Sequence, residues 1–245
     1  MKLRRNIILI AAGLLLIGSF LLPNAVAGVT DSRRLNNITM IDSQSVIFET
    51  TPVLGLHERI ELAANPDAEL LAWKTGNVMN EETAESKAVL EFTRFLRGGP
   101  FEFDFLRYSV EEVSAIFIID SENPTVSMIV WELSIIDTSE NSAILTIDDE
   151  TGLIMKIIYK QGYRNQNGNG GSDEPVVNRT DEELNAAALR LCEMMTDYYR
   201  HTIELADYQY SGSIAYYRAD LSFGEQVLPM FGVVRATSFT INERV

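Results

Sequence analysis

Twice along this chain the spacing of apolar residues changes from a helical repeat to a strand alternation, and that order restricts the fold to helices layered on antiparallel sheet. In the first passage Asn80 precedes Glu81 and Glu82, and Ala88, Val89, Phe92, Phe95 and Leu96 recur along one helical face. Asn80 supplies an N-cap acceptor, the glutamates face the positive end of the helix dipole, and Gly98-Gly99-Pro100 stops the helix. Strand-like runs follow at Val113–Ile119, Thr125–Ile136, Ala143–Ile147 and Leu153–Tyr159. In the second run Ile129, Trp131, Leu133 and Ile135 share one face and Glu132 and Ser134 the other, the alternation of a half-buried strand.

The second passage opens at Thr180, where Thr180 and Glu183 have the spacing of a capping box. Leu184, Ala187, Ala188, Leu191, Met194, Met195 and Tyr198 then hold a helical period without interruption, and strands are expected at Gly212–Phe223 and Met230–Ile241. Placing Asn80 on Thr180 puts Glu82 on Glu182, Ala88 on Ala188 and Phe95 on Met195, which points to an internal repeat. Gly and Asn dominate Gln161–Asn178, and hydrophobic periodicity stops there. A shorter apolar face, Leu56, Ile60 and Ala63, predicts a helix over Leu54–Ala64, ended by Asn65-Pro66-Asp67. The reading is an α+β chain of two units, 54–160 and a smaller 179–245, joined by a linker at 161–178.

Ahead of these units stands an export segment. Lys2, Arg4 and Arg5 precede the apolar run Ile7–Leu22, then Pro23 and Ala25-Val26-Ala27, an A-x-A site for signal peptidase. Residues 1–27 therefore read as a signal peptide cleaved after Ala27, with an uncleaved membrane anchor as the alternative. No cysteine stands at the end of the apolar run to accept a lipid, and 28–53 read as a stalk with one strand at Ser45–Phe48. Either way the rest is extracytoplasmic, secreted or anchored, and touches membrane only through the N-terminal segment.

The formal net charge is −15, and without the three cations of the leader the remainder is more acidic still. Such a surface repels phosphate backbones and anionic headgroups, and the longest basic cluster beyond the leader is Arg33-Arg34, so no nucleic-acid partner is expected. Cys192 is the only cysteine. An internal disulfide is thereby excluded, stability must come from a hydrophobic core, and Cys192 reads as a small buried hydrophobe.

The segment Ile147-Asp148-Asp149-Glu150-Thr151-Gly152-Leu153-Ile154 reads as a hairpin. Asp148 can accept N–H bonds across the turn and Gly152 can take a positive φ. On that reading Gly152→Ala and Asp148→Ala each cost about 1 kcal/mol. Asp148, Thr151, Gly152 and Ile154 match the closing hairpin of PepSY-type domains, and with the Glu-Glu opening of the preceding helix the chain resembles that family over residues 78–158. The stretch Pro100–Asp120 departs from the short form of the family. The resemblance implies a PepSY- or cystatin-like fold and a non-catalytic exported module that restrains or escorts extracytoplasmic peptidases and cell-wall hydrolases.

Motifs for chemistry are sparse. His57-Glu58-Arg59-Ile60-Glu61 has Glu61 where a zinc helix carries its second histidine, and His201 suits the negative end of the second helix. There is no nucleophile elbow or phosphate loop, and Asp148, Asp149 and Glu150 lack the spacing of a calcium loop. No catalytic residue, metal or cofactor is assigned. Tyr208, Tyr210, Tyr216 and Tyr217 form a candidate binding surface, although alternating tyrosines also serve sheet packing. The expected function is a protein-interaction module of the cell envelope with a peptidase or wall hydrolase as partner. The alternative is an envelope hydrolase or glycan-binding protein using acidic and aromatic residues of the second half.

Overall fold

Helices α1 (Leu56–Ala64), α2 (Glu81–Leu96) and α3 (Asp181–Tyr199) alternate with strands β1 (Glu69–Trp73), β2 (Tyr108–Ile119), β3 (Ser127–Asp137), β4 (Ser142–Asp148), β5 (Ile154–Lys160), β6 (Ile203–Ser211), β7 (Ile214–Phe223), β8 (Gln226–Arg235) and β9 (Ser238–Ile241). The structure, a computed structural model, describes residues 54–162 and 179–242. The leader (1–27), the stalk (28–53) with its expected strand, and linker residues 163–178 lie outside the described residues.

Local chemistry fixes the helix ends. The Asn80 side chain accepts the Thr83 N–H at 2.9 Å. Thr180 and Glu183 exchange side-chain-to-backbone bonds of 3.3 and 2.9 Å, and Arg200 ends α3 in the left-handed region at φ 59°. The buried stripe of α2 comprises Ala84, Ala88, Phe92, Phe95 and Leu96, with Glu91 among them.

The nine strands of the described residues form one antiparallel sheet in the order β1-β2-β3-β4-β5-β9-β8-β7-β6. Each of α2 and α3 is followed by a four-stranded meander, β2 to β5 and β6 to β9, and the last strands of the two meanders pair at Ile157↔Ile241 through Lys160↔Ser238. The expected separation at 161–178 is therefore not a division of the sheet. Tyr159 and Phe239 stack at 5.1 Å across the β5–β9 seam, and Phe95 of α2 meets Tyr198 of α3 edge-on at 5.7 Å, so both halves fill one core. A chain cut within 163–178 is accordingly expected to yield two fragments that co-migrate on size-exclusion chromatography under native conditions. Fragments that elute separately would show two autonomous units.

Three strand expectations change. Edge strands β1 and β6 were not signalled, because their sequences, ELLAW and IELADYQYS, are largely exposed and carry no clean alternation. The expected strand Met230–Ile241 is two strands, β8 and β9, turning at Ala236-Thr237. β8 also begins ahead of Pro229, which is tolerated because β8 meets β9 only at Val234↔Phe239 and elsewhere pairs with β7 alone.

Tyr159, Tyr198, Tyr199 and Tyr217 are buried, and their hydroxyls donate to Glu102 O, Glu91 Oε2, Ile154 O and Thr240 O at 2.7 to 3.1 Å. Burial raises the pKa of all four, because the phenolate would lose hydration. Unfolded tyrosine ionises near pH ~10. Their contribution to stability is thus complete below that pH and is lost as pH rises toward the folded values. Ultraviolet tyrosinate titration should show these phenols ionising only together with loss of circular-dichroism signal. Ionisation near the ordinary value with the fold intact would contradict the burial. Cys192 is buried as well, and burial pushes its thiol up to about 11.

Candidate functional site

The β4–β5 turn is organised by one carboxylate. Asp148 Oδ2 accepts the Thr151 N–H at 2.8 Å and its hydroxyl at 2.6 Å, while the Asp148 backbone takes the Gly152 N–H at 2.8 Å and donates to Leu153 O at 2.9 Å. Gly152 sits at φ 69°. A Cβ there would come within 2.2 Å of Lys87 Cε and 2.8 Å of its Cγ, so the side chain that pairs with Glu91 has to shift. Gly152→Ala is therefore expected to cost about 1 kcal/mol or more, from the positive φ and the displaced Lys87, as read from urea unfolding. An unchanged midpoint would mean the turn relaxes. At the far side of the hairpin the Ile154 N–H donates to Tyr198 Oη at 3.0 Å, and the Ile154 carbonyl accepts from Tyr199.

Two neighbouring carboxylates clamp the hairpin from opposite faces of the sheet. Successive strand residues point to opposite sides. Asp148 meets Arg59 Nη1 of α1 at 2.7 Å, with both side chains nearly inaccessible to water, and Arg59 completes its donors on Glu150 and, at 2.9 Å, on Leu54 O. Asp149 points the other way and accepts four N–H groups, from Asn77, Val78 and Met79 ahead of α2 and from the Trp131 indole, at 2.7 to 3.0 Å. Gly76 is required by this approach, since a Cβ would lie 1.9 Å from Asp149 Oδ1. Glu91 is held likewise, between Lys87 at 3.1 Å, Arg94 at 2.9 Å and the Tyr198 hydroxyl. The turn role of Asp148 is legible in the sequence, whereas its pairing with Arg59 and the role of Asp149 on the other face are not.

The four tyrosines do not make one surface. Tyr208 lies opposite Tyr217 in the β6–β7 ladder. Tyr217 is 3 % exposed, which removes it from any binding face, and Tyr208 is spent on Asp181 of α3, donating to its side chain at 2.9 Å. Tyr210 and Tyr216 remain exposed, and because Tyr210 pairs with Ala215 while Tyr216 pairs with Gln209, strand alternation places them on opposite faces. His57 pairs with Glu61 at 3.8 Å, and both histidines pack on Phe223, at 5.5 and 4.5 Å. Among the described residues no group of His, Cys, Asp and Glu is arranged to hold a metal ion.

A cleft of about 530 Å³ lies among the end of α2, the segment that follows it as far as Phe105, and the β3–β4 turn. Phe103 and Phe105 stand edge-on to Phe92 at 5.5 and 5.7 Å, and Phe101 packs on Tyr159 and Phe239. All three keep part of their surface open to the cleft. Its base is held by one carboxylate: Asp137 accepts the N–H groups of Asp104, Ser139 and Asn141 and the Asn141 amide, at 2.7 to 3.0 Å. No sequence signal marked this cleft, because the alternation Phe101, Phe103, Phe105 falls in a segment without regular structure.

No protein-family model, curated protein or solved structure matches this chain.

Proposed function

We propose that this chain is an extracytoplasmic, non-catalytic protein-interaction module of the cell envelope, PepSY-like over residues 78–158, that restrains or escorts a peptidase or cell-wall hydrolase. The observation that carries this reading is the filled space around Tyr217. A hydrolase or glycan site in the second half needs a cleft with carboxylates converging beside Tyr216 or Tyr217. Instead the Tyr217 ring is packed so closely that a Cβ on Gly232 would lie 2.4 Å from its hydroxyl, which donates to Thr240 O at 2.8 Å. The buried carboxylates Glu91, Asp137, Asp148 and Asp149 are each engaged by several donors, as scaffold groups are.

The same reading takes the chain as a duplication of a helix-plus-meander unit. Its support is that α2 with β2–β5 and α3 with β6–β9 follow one element order and meet through their last strands. Crosslinking in intact cells followed by capture from the membrane fraction tests the function, and one dominant extracytoplasmic hydrolase is the expected outcome. Purified chain that itself cleaves cell-wall material, with loss of turnover on replacing a single carboxylate, would overturn it.

A further inference from the structure

The cleft beside α2 holds two ions that the protein leaves unspent. Arg97 and Glu102 line it, and among the described residues neither side chain has a hydrogen-bond or ion-pair partner. The remaining acids there are committed, Asp104 to Arg107 at 3.2 Å and Asp137 to its four donors. What faces the opening is therefore one guanidinium, one carboxylate and a wall made by Phe101, Phe103 and Phe105 on a preformed base.

We propose that this cleft binds a small zwitterion bearing one bulky apolar group, an apolar amino acid or the equivalent dipeptide. The ligand carboxylate is taken by Arg97, whose planar fork suits two parallel bonds, the ammonium faces Glu102, and the apolar side chain lies on the phenylalanine wall. Charge complementarity selects this class. A phosphate or other multiply charged anion meets Glu102 as well as Arg97, and an uncharged sugar would desolvate both ions while neutralising neither. The volume lies within the range of small-molecule sites. This inference is independent of the envelope role proposed above and does not require a protein partner.

Isothermal titration of the full chain with L-phenylalanine, L-leucine, Leu-Phe, N-acetyl-phenylalanine and phenylalanine amide tests it. Saturable binding of the zwitterions is expected, weakened about tenfold or more for the amide and in Arg97→Gln, the scale of losing a charge-assisted bidentate contact. Glu102→Gln should abolish the preference for the free amine over the acetylated form. Both residues are exposed, so unchanged thermal midpoints will show that the variants fold. Binding of Leu-Phe alone assigns the site to peptide, and binding of the free amino acids assigns it to the monomers. Absence of saturation with any zwitterion at millimolar concentration, or equal binding of acid and amide, overturns the proposal.

Discussion

Replacing Asp148 with alanine is expected to destabilise the fold by about 3–5 kcal/mol. That is several times the loss of the turn hydrogen bonds alone. The difference comes from Arg59, which is 3 % exposed and would be left as a buried cation without its main counter-ion. Urea unfolding measures the effect. A second variant, Arg59→Met with Asp148→Ala, should recover part of it, because removing both charges also removes the desolvation penalty. A single-variant loss near 1 kcal/mol would show that water reaches Arg59 and that the pair is not buried in solution.

Asp149→Ala carries the second large effect. Among the described residues its carboxylate is the acceptor for the N–H groups of Asn77, Val78 and Met79 and for the Trp131 indole, and a buried donor left unpaired, as the Met79 N–H and the indole would be, costs about 1–3 kcal/mol. A loss of about 3 kcal/mol or more is expected. Hydrogen exchange separates the two acids: Asp149→Ala should expose residues 77–79 and the first turn of α2, whereas Asp148→Ala should expose α1. Identical exchange patterns would mean that the two faces of the hairpin open as one.

Local signals were legible and distant pairings were not. The start of α3 could be read because Thr180 and Glu183 satisfy each other within one turn, and β3 because Trp131, Leu133 and Ile135 alternate against polar neighbours. β6 has no such rule, since only Ile203 of its nine residues is buried and the rest show no regular alternation. Asp148 announced a turn through Thr151 and Gly152, all within five residues. Its partner Arg59 lies on another element on the far side of α2 in sequence, and in sequence that arginine is indistinguishable from any solvated helix residue. The tyrosine cluster misled for the opposite reason: alternation predicts strands, but which side of a strand meets the core depends on where α3 lands.

The β5–β9 seam also dictates an order of assembly. β9 leaves the ribosome after the eight other strands, yet it fills the centre of the sheet and brings Phe239 and Ile241 into the core. Until then the edge of β5 that pairs with β9 has no partner strand. Open edges of this kind invite mispairing with other chains. Closing the sheet also needs contacts between residues far apart in sequence, which slows folding. The chain is therefore expected to be open to aggregation and proteolysis while the stretch between Lys160 and Ser238 is being made, and truncations ahead of Ser238 should be far less soluble than their small size suggests.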